Sequence, residues 1–243
     1  MLEFIKPSML AGKNALIVAE RTEESEMLVQ CFRAAGCVVN MTAYYGEEIS
    51  FVPDVAIAEF SSDASANETE SGPANASNIT SADVLIFFPC IKETIADASS
   101  KSYMKEGIAD AVGRLIQKIY IHCDHYSKTM IQKGWGRIIF IGSSQAKTGG
   151  WNTGADEGAC VLSSTMCGLA RSLAVELAPH GVTVNTILYL PQTEYIKGSM
   201  DKIPLDRLPD GEDIAGAALF LASEPAAFIT GYSLDINCGL HMD

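Results

Sequence analysis

Four carboxylates, Glu20, Glu23, Glu24 and Glu26, crowd the stretch Ala19-Glu20-Arg21-Thr22-Glu23-Glu24-Ser25-Glu26. An apolar run precedes it and a helical pattern follows, so it reads as the turn of a strand–helix–strand unit. In such a unit the helix N-terminus offers free N–H groups and partial positive charge, and glycine in the turn lets the backbone approach a pyrophosphate. This turn has no glycine, and carboxylates stand where the anion would lie. Glu23, Glu24 and Glu26 favour a helix N-terminus by about 0.3–1 kcal/mol each. They also meet an incoming pyrophosphate with like charge, and the expectation is that the chain takes no dinucleotide and needs no cofactor.

Other residues with chemical potential are less organised. Ser143 and Ser144 follow an apolar run and could present a hydroxyl, but a lone serine has no general base and is common as a turn or capping residue. His122 and His125 flank Asp124 on one predicted helix, and this spacing without a further ligand-rich cluster is a poor metal site, so no metal is expected. Tyr44-Tyr45 and Phe87-Phe88 read as core packing rather than a ligand cage. Asn40, Asn67, Asn75 and Asn78 each begin an N-x-[ST] triplet, which carries no meaning without secretion. The seven cysteines are an odd number with no C-x-x-C pair, as in a cytoplasmic protein with reduced, buried thiols.

The elements that must position these residues alternate. Apolar runs at 10–18, 37–40, 54–60, 83–88, 137–142, 182–188 and 233–237 read as strands. Helical periodicity covers 26–35, 103–133, a segment from 157 to Pro179-His180-Gly181, and 213–222. The segment 61–82, rich in Ser, Ala and Asn, shows no apolar stripe and reads as an irregular crossover. The fold expected is therefore α/β, a Rossmann-like doubly wound parallel sheet between two helical layers, in one domain over residues 1–243. A net charge of −13 disfavours nucleic acid and anionic membranes as partners. The first thirteen residues lack the pattern of a signal peptide, and no apolar run reaches membrane-spanning length, so a cytoplasmic location is expected.

GRIIFIGSS (136–144), GLARSLAVELAPHGVTVN (168–185), DIAGAALFLASEPAAFITG (213–231) and LDINCG (234–239) closely resemble the short-chain dehydrogenase/reductase family, and LAGKNALIV (10–18) and ADVLIF (82–87) extend the resemblance over nearly the whole chain. Carried over by position, the family's Gly-x-x-x-Gly-x-Gly cofactor turn falls on Ala19, Glu23 and Ser25. Its Asn-Asn-Ala-Gly turn falls on Phe87, Phe88, Pro89 and Cys90, and its helix Asn near Leu115. The Tyr and Lys of its Tyr-x-x-x-Lys pair fall on Ala159 and Ser163, and its Pro-Gly on Tyr189-Leu190. Of the working set, the serine alone remains, as Ser144 or its neighbour Ser143. None of the eight tyrosines has lysine four residues later, so the pair is absent rather than shifted. Hydride chemistry of this family needs a phenol whose pKa a nearby ammonium lowers, and alanine offers no proton.

The resemblance also implies two intact pairing surfaces, one on the two long helices and one on the last helix and strand. Together with the lost motifs it implies a chain that is not itself an enzyme. Such a chain would be a structural subunit of an NAD(P)-dependent complex, joined to a catalytically active paralogue in a heterotetramer. Two rivals remain: a divergent enzyme of this scaffold that does not use nicotinamide, and a stand-alone regulatory or binding protein.

Overall fold

In the computed structural model the residues described are 5, 6, 8–42, 81–89, 108–149, 157–192 and 200–242. Alternation along each strand decides the layering. In β1 (Asn14–Ala19), Leu16 and Val18 face one helical layer while Ala15, Ile17 and Ala19 face the other. The strands β2 (Val38–Thr42), β3 (Val84–Phe88), β4 (Gly136–Ser143), β5 (Val182–Tyr189) and β6 (Ser233–Ile236) join it in one sheet of order β2-β1-β3-β4-β5-β6. Every pairing is parallel. A parallel sheet must be covered on both faces, which is why β3 and β4 are buried along their whole length.

Helices α1 (Glu23–Ala34) and α5 (Gly211–Ala222) cover one face through Leu28, Phe32, Ile214 and Leu219. Helices α2 (Ile108–Lys133) and α4 (Glu157–Leu177) cover the other through Ile119, Met130, Leu162 and Met166, and the single turn α3 (Gln145–Thr148) follows β4. The segment from Glu157 to His180 is long and apolar enough to cross a membrane by composition, but half of it is buried, as befits a core helix packed on β4 and β5.

The expected α/β doubly wound sheet is present, with differences at element ends. Residues 10–13 are not strand: the Lys13 N–H donates to the Leu10 carbonyl at 3.1 Å and Gly12 takes φ +74°, so a turn precedes β1. Helix α1 starts three residues before the expected position 26, because Thr22 and Ser25 form a reciprocal cap. The predicted strand at 54–60, most of the crossover 61–82, the start of the 103–133 helix, Tyr44-Tyr45, Asn67, Asn75, Asn78 and Cys90 lie outside the described residues. The six described cysteines are free thiols, and all but Cys160 are buried. Burial pushes the Cys37 thiol up to about 12, which keeps it protonated and unreactive.

At the N-terminal edge of the sheet, Asp83 ties β1, β3 and α2 together. Its carboxylate accepts from Lys133 Nζ at 2.6 Å and from the Asn14 N–H at 2.9 Å, and its side chain is 5% exposed. Burial alone would raise its pKa; the Lys133 and Asn14 hydrogen bonds and the charges of Lys133 and Lys13 outweigh burial and hold it below the usual carboxylate value. A depressed folded pKa gives stability that is present above the unfolded value of about 3.9 and is lost as pH falls through the folded value. Asp83→Asn is therefore expected to lower stability at neutral pH and to flatten the loss of stability below about pH 4. Thermal melts of both proteins between neutral pH and acid check this, and parallel acid profiles would exclude Asp83 as a contributor.

Candidate functional site

In open α/β sheets, ligands bind beyond the carboxyl ends of the strands where the strand order reverses, here between β1 and β3. Ala19 and Phe88 are register partners at those ends. Beyond Ala19, which is fully buried, the chain folds back on itself. The Ser25 N–H donates to Thr22 Oγ1 at 3.2 Å, and the Thr22 N–H donates to Ser25 Oγ at 2.9 Å. Ser25 Oγ in turn donates to the Glu20 carbonyl at 2.7 Å. Glu23 opens the helix, and the Arg21 guanidinium pairs with Glu26 at 2.7 Å.

Phe87 and Phe88 do not act as one unit, because neighbours on a strand point to opposite faces. Phe87 is fully buried on the α2/α4 face, 5.6 Å from Phe140 and edge-on to His122 at 6.0 Å. Leu115 belongs to the same cluster, so neither residue reaches the crevice from this side. Phe88 lies on the α1/α5 face and meets Tyr189 edge-on at 5.5 Å, bridging the ends of β3 and β5 across β4. His122 Nδ1 lies 2.8 Å from the Lys118 carbonyl, and burial lowers its pKa, so the ring is neutral packing material. Among the described residues no group of His, Cys, Asp or Glu could hold a metal ion.

At the end of β4, Ser163 is fully buried, and its Oγ accepts the Ser143 N–H at 2.9 Å. Ala159, one turn earlier, is 5% exposed. The positions where the resemblance placed a tyrosine and a lysine thus hold two small, buried side chains, of which Ser163 contacts β4. The Ser144 N–H donates to the Tyr189 carbonyl at 2.8 Å, while Ser144 Oγ is buried with no hydrogen-bond partner among the described residues. Lys147, on α3, pairs with Asp235 of β6 at 2.6 Å. Two contacts escaped the sequence reading, Phe88 with Tyr189 and Lys147 with Asp235. Both join residues far apart in the chain, and no local pattern marks them.

Nicotinamide dinucleotide is the group this fold class implies, and the residues present do not fit it. The Ser25 amide of the first helical turn is taken by Thr22, the turn carries no glycine and has Glu20, Glu23, Glu24 and Glu26 in it, and aromatic rings stand at the ends of β3 and β5.

A doubly wound parallel sheet with this strand order defines a Rossmann-type α/β protein. Residues 103–241, more than half of the chain, match the family model described as enoyl-(acyl carrier protein) reductase. The chain is 33% identical over 172 residues to a 3-oxoacyl-(acyl-carrier-protein) reductase FabG of Buchnera aphidicola, spanning 67% of this chain and 68% of that protein. It is 37% identical over 124 residues to the protein of the same name in Haemophilus influenzae, spanning 47% of this chain and 50% of that protein. Several of the curated relatives are likewise matched over about half their length. A short-chain dehydrogenase of Leptospira borgpetersenii, solved with bound NAD+, shares the fold at a TM-score of 0.71 and 18% identity, covering 97% of this chain and 95% of that one. The chain belongs to the short-chain dehydrogenase/reductase family.

These relatives overturn one expectation. The absence of Tyr-x-x-x-Lys suggested a chain that is not an enzyme, but relatives that match it are named 3-oxoacyl-(acyl-carrier-protein) reductases, and the family it shares with them is one of oxidoreductases. The missing pair speaks to one route for a proton at Ala159 and Ser163, and it does not remove the chain from that class.

Proposed function

We propose that this chain is a subunit of a cytoplasmic oxidoreductase that interconverts an alcohol and a carbonyl, assembled with a paralogous short-chain dehydrogenase/reductase subunit as a heterotetramer. The observation that carries the reading is the outward face of α4. Val161 and Val175 are 45% and 81% exposed there, and Gly168 between them leaves open space around its Cα. Tyr120 is likewise 53% exposed on neighbouring α2. A stripe of small and apolar residues lets a second helix pair approach closely. The reductase names of the relatives favour an acyl thioester with an oxo or hydroxy group as substrate. Hydroxybenzylsuccinyl-CoA dehydrogenase, of anaerobic toluene degradation, is an assembly of this kind, and this chain resembles its structural subunit in the motif positions it has changed.

A second reading, a divergent enzyme of this scaffold that does not use nicotinamide, is favoured by one observation, the buried and unpartnered hydroxyl of Ser144. The test is to purify the chain co-expressed with its paralogue and to assay reduction of a 3-oxoacyl thioester. The pair is expected to turn over faster than the paralogue alone at equal concentration. Equal rates would remove the need for this subunit, and turnover by this chain alone without nicotinamide would favour the second reading.

A further inference from the structure

We infer that the β1–α1 turn of this chain is closed to a nicotinamide dinucleotide by the protein itself, and that any dinucleotide in the assembly is held by the other subunit. The argument rests on the residues of this turn, and its last clause alone rests on the proposed assembly. In a βαβ unit the pyrophosphate is held by N–H groups left free at the helix N-terminus. Here the N–H of Ser25, third residue of the helix, is satisfied by Thr22 Oγ1, so the first turn has one fewer free donor to offer. Ser25, at the position of the family's last turn glycine, is fully buried, and its hydroxyl locks the Glu20 carbonyl and the Thr22 N–H. A phosphate could reach the Ser25 amide only by breaking that reciprocal cap.

The neighbouring helix closes the turn further. Helix α5 begins against the first turn of α1: a Cβ on Gly211 would lie 2.9 Å from Met27 Cβ and 3.2 Å from Glu24 Cα. That contact sets Gly211, which lies between Asp210 and Glu212 in the chain, against Glu24 and Met27 of α1. Asp210 and Asp213 cap their own helix, and the Arg207 guanidinium is engaged by Asp213. An anion arriving at the start of α1 meets a capped helix end whose own first turn carries Glu23, Glu24 and Glu26, which disfavours it electrostatically.

The test is calorimetric titration of the full chain with NAD+, NADH, NADP+ and NADPH at low salt, with a cooperative thermal melt to show that it is folded. No saturable heat is expected up to about 1 mM of any of the four. Saturable binding in that range would overturn the inference. A second measurement counts dinucleotide bound per co-purified pair. One molecule for each pair of unlike chains is the expected result, and two would contradict it. Should no mixed assembly form, the titration of the single chain still decides whether its turn is closed, so failure of the proposed function and failure of this inference are read separately.

Discussion

Gly168→Trp is expected to leave the chain folded and to break its assembly, weakening association by about 10- to 100-fold. Gly168 is exposed within α4, and among the described residues nothing lies within 4 Å of where its Cβ would be, which leaves room there for the ring. Replacing glycine inside a helix also removes a propensity cost of somewhat under 1 kcal/mol. In a packed helix–helix contact the same ring is an overpacking error of about 1–3 kcal/mol. The two effects have opposite signs, which makes the variant discriminating. Sedimentation velocity of the co-expressed pair, beside a thermal melt of the lone variant, reads both. An unchanged sedimentation coefficient would show that α4 faces solvent in the assembly.

Ser163→Lys introduces the residue type that the resemblance places at this position and is nevertheless expected to destabilise the fold by roughly 2–6 kcal/mol. Ser163 is fully buried, and a Cβ on Gly142 would already lie 2.8 Å from its Oγ. A longer side chain has to displace β4 or α4, at about 1–3 kcal/mol. The Ser143 N–H then loses its acceptor, and a buried unsatisfied donor costs about 1–3 kcal/mol. Ser163→Ala isolates the second cost, since it removes the acceptor without adding bulk. Urea denaturation of the three proteins checks the order wild type, Ala, Lys. A lysine variant as stable as the wild type would mean that the position opens onto the crevice.

The sheet was legible because its strands are short apolar runs and its helices carry one apolar face each, and those patterns report burial directly. The start of α1 was not. The Glu run at 20–26 looked like a loop mouth, whereas Thr22 and Ser25 make a cap whose second partner is a serine rather than the usual Glu or Gln. Phe87 and Phe88 look like one feature in sequence, and strand alternation sends them to opposite layers. The resemblance put the Tyr-x-x-x-Lys pair on Ala159 and Ser163, and both of these residues are buried. What could not follow from those two residues was the class of the protein. A missing proton donor excludes one chemical step, while family membership is carried by the core pattern of the whole chain. The Phe88–Tyr189 contact spans two strands that flank β4, and Lys147–Asp235 joins α3 to β6; both depend on the assembled sheet, which no local periodicity encodes.

The account stands most directly on the mass of the native particle. Native mass spectrometry of the chain, co-expressed with a short-chain dehydrogenase/reductase paralogue from the same genome and purified through a tag on either one, is expected to show a single species containing two copies of each. Two separate populations, each built from one kind of chain, would contradict the claim that this protein works as a subunit of a mixed oxidoreductase.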